Sequence, residues 1–261
     1  MADSASNKHS ILEQFSQQAE GYSRLIGGMA DERGQFAFRD LVDARTDDHV
    51  LDVCCGPGTL ALRLAPFVSH VTGLDLTPAM LEQARAAQER KGVANADWVE
   101  GDVFALPFTR DAFSLVTCGT AFHHLPDPLA AMNEMVRVCR PGGRIVVVDM
   151  TPDAAKSVAF DRMEKLRDPS HVHALSPAEM AGLGEDMEVG AAQLCSSFTA
   201  DLPLDAILET SFPETCTIED IRSMFLEDAR SGEDRLGFNA RLVDGEVQVS
   251  YVMSTAIWTK K

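Results

Sequence analysis

The feature that most constrains this chain is an apolar segment that runs into a glycine turn and then into a predicted helix. Residues 50–53 are apolar apart from Asp52, the turn contains Gly56 and Gly58, and the helix is predicted from Leu60. Glycine adopts positive φ and has no Cβ, and a helix N-terminus offers free N–H donors to an anionic group. The segment therefore predicts a small-molecule site at which a ligand carboxylate approaches the backbone.

This segment belongs to a longer alternation of strands and amphipathic helices. Strand-like runs cover residues 49–54, 70–75, 97–100, 113–118 and 144–149. Between them, Thr77 and Asp127 each precede a proline and open a predicted helix, and the second helix is expected to end at residues 141–143. The alternation predicts an α/β fold of the doubly wound, Rossmann-like type, with the glycine turn at the carboxyl edge of a parallel sheet.

Charge and composition exclude several classes of function. The 23 Lys and Arg residues face 40 Asp and Glu residues, a net charge of −17, which argues against a nucleic-acid partner because phosphates select a basic surface. The apolar runs are strand-sized and the N-terminus lacks a signal-peptide pattern, so no membrane insertion is expected. The six cysteines lack the spacing of a metal or redox motif. We therefore expect a cytoplasmic monomer or homodimer that binds small molecules, with no metal.

Two acids indicate which ligand the glycine turn binds. Asp75 ends the second predicted strand, where a carboxylate accepts hydrogen bonds from ribose hydroxyls. The turn also satisfies a relaxed dinucleotide fingerprint. Asp52 distinguishes a dinucleotide such as NAD from S-adenosylmethionine (SAM). An acid at this position repels the pyrophosphate of a dinucleotide and attracts the ammonium and sulfonium of SAM. The residues thus favour SAM, with S-adenosylhomocysteine as its product.

Five segments, in family order, resemble the methyltransferase-11 group of class I SAM-dependent methyltransferases. They are the Asp52-x-x-x-Gly56-x-Gly58 turn, Gly73-Leu74-Asp75, and residues 101–108, 122–128 and 138–143. The Cys54-Cys55 pair is similar to the ubiquinone and menaquinone biosynthesis branch, whose members methylate quinol carbon. The resemblance implies a SAM-dependent methyltransferase.

The resemblance also implies a role for each residue of the cofactor site. Asp52, Gly56 and Gly58 are expected at the methionine end, and Asp75 at the ribose. The remaining implied contacts are Leu76, Met80, Asp102 and Val103 with adenine, and Cys118 and Gly119 with the sulfonium side. Leu76 and Met80 are equally compatible with positions in the core.

Candidate catalytic residues follow the next two strands. His123 and His124 come after the fourth strand and Asp149 ends the fifth, so in a parallel sheet they face the same edge as the cofactor. Similar His-His-x-Pro segments in natural-product methyltransferases imply one histidine as general base, supported by the acid. The alternative is a histidine that packs beneath the loop, and the two histidines are not distinguished.

The acceptor pocket is predicted to draw on segments outside the core. We expect a helical lid over residues 1–45, the SAM-binding core over 46–150, an additional strand and helical cap over 151–245, and the final strand, antiparallel in a mostly parallel seven-stranded sheet, over 246–261. Phe15 and Tyr22 lie at helical spacing. We expect them to line the acceptor pocket, and the alternative is that they belong to the core. His171 is expected to reach the acceptor from the cap, although a polar loop is the alternative.

Methyl transfer to a small molecule, at carbon or oxygen in preference to nitrogen, is the favoured function. One alternative is an NAD(P)-dependent oxidoreductase, which Asp52 disfavours, as does the absence of a lysine four residues after Tyr22 or Tyr251. A second is a SAM-binding protein or cyclase that does not methylate. A third is a methyltransferase of macromolecules, which the charge disfavours for nucleic acid.

Overall fold

The architecture is a mixed sheet flanked by helices, seen in a computed structural model that describes residues 4–28 and 32–261. The strands are β1 (His49–Val53), β2 (His70–Asp75), β3 (Ala96–Glu100), β4 (Phe113–Gly119), β5 (Cys139–Met150), β6 (Gln193–Pro203), β7 (Arg241–Val243) and β8 (Glu246–Thr259). Their order is β3-β2-β1-β4-β5-β8-β6, and β7 pairs with β8. The predicted fold class is confirmed.

The last strand runs against its neighbours, as predicted. β1 to β5 pair in parallel, whereas β8 is antiparallel to both β5 and β6. The described part of the chain also contains one strand beyond the seven predicted. This strand, β7, joins β8 through a two-residue turn and pairs with it. Asp244 and Gly245 in that turn both have positive φ, the conformation of a tight hairpin.

Three of the parallel strands, β1, β4 and β5, are buried within the sheet. Leu51 of β1, Val116 of β4 and Val147 of β5 have no exposed surface. Strands covered on both faces read as continuous apolar runs, and these three strands do so. Because β1, β2, β4 and β5 run in the same direction, their carboxyl ends meet at one edge of the sheet.

The helices fall into three groups along the chain. They are α1 (Ser4–Gly28) and α2 (Glu32–Leu41) before the sheet, α3 (Thr59–Leu64), α4 (Pro78–Lys91) and α5 (Pro128–Val138) between parallel strands, and α6 (Ser157–Arg167), α7 (Pro177–Gly182), α8 (Leu204–Leu208) and α9 (Ile218–Ser231) after β5. The Asp127 carboxylate accepts the Ala130 N–H at 2.9 Å and caps α5, as its sequence suggests.

The end of α5 was predicted too late. The helix stops at Val138, and β5 begins at Cys139 instead of at residue 144. Cys139 pairs with Phe113 of β4, and the Gly142 N–H donates to the Lys260 carbonyl at 2.9 Å. Tertiary pairing therefore draws the Pro-Gly-Gly segment into the strand.

The region after β5 has an aromatic core of its own. Phe160 of α6 stacks on Phe238 with ring centroids 4.4 Å apart, and Phe225 and Tyr251 pack edge-on against Phe238. Residues 1–3 and 29–31 of the predicted lid lie outside the described residues, and the division into lid, core and cap stays a prediction. No helix in the described part of the chain is long and apolar enough to cross a membrane.

Candidate active site

A cavity of about 810 Å³ lies at the carboxyl edge of the parallel strands. Residues of α1 and residues of β6 and β8 contribute to its wall. Small-molecule sites span about 300–1,000 Å³, so this volume is that of a ligand-binding site. Among the ionisable side chains that line it, Asp52 and Asp75 belong to β1 and β2, whereas His123 and His124 follow β4 on the other side of the sheet order.

The glycine turn after β1 forms part of the cavity wall. Gly56 has φ +53° and Gly58 has φ +76°. A Cβ at Gly58 would lie 2.4 Å from a ring carbon of Trp98, whereas a Cβ at Gly56 would meet nothing within 4 Å. Gly58 therefore allows the turn to pack against β3, and Gly56 leaves a bare backbone surface that a ligand can approach.

Asp52 is a buried acid at the end of β1 that still borders the cavity. Its Oδ1 accepts the Thr117 hydroxyl at 2.8 Å and its Oδ2 accepts the Ala61 N–H at 3.1 Å. Burial raises the pKa of Asp52 to about 7, against the lowering effect of these two hydrogen bonds, and the nearby Asp75 raises it further. A cation beside Asp52 would stabilise its charged form.

Asp75 ends β2 with both carboxylate oxygens fixed. Oδ2 accepts the Gly56 N–H at 2.8 Å and Oδ1 accepts the Thr77 N–H at 2.8 Å. Burial raises the pKa of Asp75 above its ordinary value. Each carboxylate oxygen has a further lone pair, and Asp75 lines the cavity, so the geometry suits two hydroxyl donors.

The predicted adenine contacts all line the cavity. They are Leu76, Met80, Asp102 and Val103. Asp102 accepts the Phe104 N–H at 2.9 Å and forms an ion pair with Lys8 of α1 at 3.2 Å. Gly119 also lines the cavity, but Cys118 has no exposed surface and lies behind the wall.

At the other end of the cavity, His123 forms a buried pair with Asp149. Its Nδ1 lies 2.7 Å from Asp149 Oδ1, and its backbone N–H donates to Oδ2 at 3.2 Å. Burial lowers the pKa of His123, but the Asp149 carboxylate outweighs this and leaves the pKa above the ordinary value. His123 lines the cavity and Asp149 does not, so Nε2 is the ring nitrogen that can reach a ligand.

His124 has a different environment from its neighbour. Its Nδ1 lies 3.1 Å from Ser170 Oγ, which donates to Asp168 at 2.6 Å. Burial and the adjacent His123 lower the pKa of His124 to about 3. Phe15 packs edge-on against the His124 ring at 5.0 Å. His124 lines the cavity as a neutral side chain with a weak tendency to take up a proton.

The predicted acceptor contacts divide into two cases. Phe15 and Tyr22 of α1 line the cavity, and the Tyr22 hydroxyl lies 3.1 Å from Thr120 Oγ1. His171 does not line it: the side chain is fully buried, and Nε2 lies 2.8 Å from Asp161 Oδ1. The structure therefore places His171 behind His123 and His124, where it has no direct access to an acceptor.

Two cavity residues had no signal in the sequence analysis. Thr120 has φ +55°, which is an outlier for a β-branched residue and is characteristic of functional loops. Arg167, the last residue of α6, reaches the cavity with a side chain that is 12% exposed. Among the described residues, no group of three or more His, Cys, Asp or Glu side chains could hold a metal ion.

Comparison with known proteins identifies the segment that carries most of this site. Residues 50–143 match the family model of the methyltransferase domain. Over this segment the chain is similar to a methyltransferase domain. The segment includes Asp52, Asp75 and His123, and the match confirms the resemblance predicted from the sequence.

Curated relatives of the methyltransferase domain agree with this assignment. The uncharacterised methyltransferase YcgJ of Bacillus subtilis is 36% identical over 139 residues, which are 52% of this chain and 55% of that protein. Demethylmenaquinone methyltransferase of Staphylococcus aureus is 33% identical over 156 residues, which are 57% of this chain and 64% of that protein. The chain thus matches between half and two thirds of the length of these relatives.

Solved structures show the same fold over most of the chain. The crystal structure of Bacillus subtilis YcgJ superposes with a TM-score of 0.77 at 24% identity and covers 88% of this chain and 99% of that one. A Bacillus halodurans structure gives a TM-score of 0.73 at 28% identity, with coverages of 87% and 98%. The fold is that of class I methyltransferases.

Proposed function

We propose that this chain is a SAM-dependent methyltransferase that methylates carbon or oxygen of a small molecule, with His123 as general base. One observation carries the proposal. A cavity bordered by Asp52, Gly56 and Asp75 at one end is bordered at the other by a histidine that a buried carboxylate orients.

The cofactor end fits SAM in three respects. Gly56 presents bare backbone, Asp75 has lone pairs available for two ribose hydroxyls, and Asp52 is an acid that a neighbouring cation would stabilise. A dinucleotide would bring its pyrophosphate to the same turn, where Asp52 repels negative charge. Asp52 therefore favours SAM over NAD.

SAM supplies, when bound, a methyl group on a positively charged sulfur. The chain's own contribution is to hold the acceptor in line with that group, and positioning of this kind accounts for about 7–11 kcal/mol of a barrier. A hydroxyl or enol acceptor must also lose a proton. His123 Nε2 takes that proton, and Asp149 stabilises the resulting imidazolium. The acceptor keeps the electron pair that would form the new bond to the methyl carbon, whose bond to sulfur would break with its electron pair left on sulfur in S-adenosylhomocysteine.

His123 is the better base of the two adjacent histidines. A general base needs access to the ligand and a pKa near the working pH. The pKa of His123 is raised by Asp149, whereas that of His124 is lowered to about 3. We therefore assign His124 a role in shaping the pocket together with Phe15.

A small molecule is the acceptor that the cavity and charge favour. The cavity is lined in part by α1, and the net charge is −17, so a nucleic acid would find no basic surface. The relative named demethylmenaquinone methyltransferase acts, by its name, on a small molecule, which agrees with this class of acceptor.

Calorimetric titration with SAM, S-adenosylhomocysteine and NADH in parallel tests the cofactor. We expect micromolar binding of the two sulfur nucleosides and none of NADH. Binding of NADH alone would refute the proposal. Binding of SAM without methylated product across an acceptor screen would instead indicate a SAM-binding protein or cyclase.

The base is tested with His123→Asn, with His124→Asn as the matched control. Loss of a general base costs about 100- to 10,000-fold in turnover, so the first variant should lose activity on a competent acceptor while its SAM affinity stays within about twofold of the wild type. Equal losses in both variants, or none in either, would contradict the assignment of His123.

A further inference from the structure

The acceptor end of the cavity is apolar apart from a few fixed polar groups. Its wall from β6 and β8 includes Phe198, Leu202 and Met253, and Leu25 and Phe15 face it from α1. An acceptor that fills this space must therefore be largely apolar. The polar atoms of such an acceptor would contact the polar side chains that line the cavity among these apolar residues.

Arg167 is one of these side chains, and Glu164 fixes its orientation. Arg167 Nε lies 2.9 Å from Glu164 Oε1 and Nη2 lies 2.6 Å from Oε2. The Tyr251 hydroxyl donates to Glu164 Oε1 at 3.0 Å. A guanidinium has five N–H donors in a rigid plane, and Glu164 takes two of them, so donors remain on the edge turned away from Glu164.

Both ion pairs at this end of the cavity have the same orientation. Arg167 lines the cavity and Glu164 does not, just as His123 lines it and Asp149 does not. Asp168 does line the cavity, but Gln18 donates to its Oδ2, and the backbone N–H and hydroxyl of Ser170 donate to its Oδ1. The acceptor therefore meets the donors of Arg167 and the base His123, with Glu164 and Asp149 behind them and with the Asp168 carboxylate already hydrogen-bonded to Gln18 and Ser170.

This arrangement selects among acceptor chemistries. An ammonium group has only N–H donors and Arg167 also offers only N–H donors, so the two could not hydrogen-bond to each other. A permanent anion would enter a region where Glu164 already neutralises Arg167 and where Asp149 and Asp168 add negative charge. A neutral oxygen that becomes negative only when the acceptor loses its proton fits both constraints.

We propose that the acceptor is a largely apolar molecule with an enolisable carbonyl group, and that Arg167 binds the carbonyl oxygen while His123 removes the proton. This inference rests on the proposed function. The C–H or enol O–H bond breaks, its proton passes to His123 Nε2, and the electron pair stays on the acceptor as an enolate whose oxygen faces Arg167. The total charge of the cluster does not change, because the proton only moves from acceptor to His123.

The test uses benzoylacetone as the probe, in the presence of S-adenosylhomocysteine so that no transfer occurs. Its enolate absorbs at longer wavelength than its neutral enol, so ionisation on the protein is visible directly. Phenylacetate and phenethylamine serve as probes of similar apolar character with an anion or a cation in place of the diketone. Binding of all three is measured by calorimetry.

The variants separate the role of Arg167 from its contribution to folding. Arg167→Met alone leaves Glu164 buried without its partner, which destabilises proteins strongly. The double variant Glu164→Gln with Arg167→Met removes both charges together, and Arg167→Lys keeps the charge but not the rigid fork. Arg162→Met, at an exposed arginine of the same helix, is the matched control.

We expect the wild type and Arg162→Met to bind benzoylacetone more tightly than the other two probes and to shift its absorbance. The double variant should bind it about tenfold more weakly and without the shift, at unchanged affinity for S-adenosylhomocysteine, and Arg167→Lys should fall between. Tighter binding of phenylacetate or phenethylamine, no binding of benzoylacetone, or a shift that persists in the double variant would each overturn the inference. Failure of the wild type to bind S-adenosylhomocysteine would refute the proposed function instead.

Discussion

Lowering the pH from 7 to 5 is expected to weaken SAM binding about 50-fold, because Asp52 must be charged to hold a cation. Burial raises the pKa of Asp52 to about 7. The carboxyl group is then about half ionised at pH 7 and about 1% ionised at pH 5. Since the affinity follows the ionised fraction of the free protein, the loss corresponds to about 2.3 kcal/mol.

The direction of this effect follows from the raised pKa. A bound ammonium or sulfonium favours the charged form of Asp52, so binding releases a proton from any molecule in which Asp52 is protonated. More acid therefore opposes binding. The α-amino group of the ligand loses its proton only near pH 7.7–8.0 in its ordinary state, so it stays charged throughout this range.

The assay is calorimetric titration with S-adenosylhomocysteine and SAM at intervals between pH 5 and 7, for the wild type and for Asp52→Asn. Asp75, whose pKa burial also raises, is present in both proteins, so the difference between the two slopes reports Asp52. The reasoning fails if the wild-type affinity is flat over this range, or if Asp52→Asn has the same slope.

Three further substitutions test the backbone at the glycine turn and a buried ion pair. Gly58→Ala would place a Cβ 2.4 Å from Trp98 at φ +76°, so we expect a loss of about 2–5 kcal/mol in the free energy of urea unfolding. Gly56→Ala, with open space at its Cβ, should cost only about 1–2 kcal/mol yet weaken SAM about tenfold or more, since the backbone there must stay bare. Similar unfolding midpoints for the two variants would contradict this. Arg144→Met removes the ion-pair partner of the buried Asp48 carboxylate and should lower the free energy of unfolding by about 3–5 kcal/mol. A decrease below about 1 kcal/mol would show that the protein does not need this ion pair.

The position of two acids in the cavity could be predicted because Asp52 and Asp75 lie at the ends of apolar strands. Asp75 is the last residue of β2, and Asp52 is the residue before the last in β1. The carboxyl ends of parallel strands meet at one edge of the sheet. Glycine and proline marked where each strand stopped. Local pattern and sheet topology together then placed these side chains in one cavity.

The acceptor half depended on contacts that a local pattern does not reveal. His123 and His124 are adjacent in sequence, and only the short turn at Phe122–His124 and the position of Asp149 give them opposite pKa shifts. His171 was expected in the pocket because of its residue type, but Asp161 holds it behind the wall. Arg167 belongs to the last turn of a helix, where a basic residue is usually ascribed to the helix dipole.

β8 lies between β5 and β6 in the sheet but is synthesised after both. The strands therefore cannot all pair in the order in which they leave the ribosome. β1 to β5, with Asp52, Asp75 and His123, emerge first and can pair with one another before the rest of the chain exists. In the described sheet, β6 joins only through β8, which is made later. A nascent chain can therefore form the strands that carry Asp52 and Asp75 while β6 waits for its partner, and the cavity wall from β6 and β8 is the last to form.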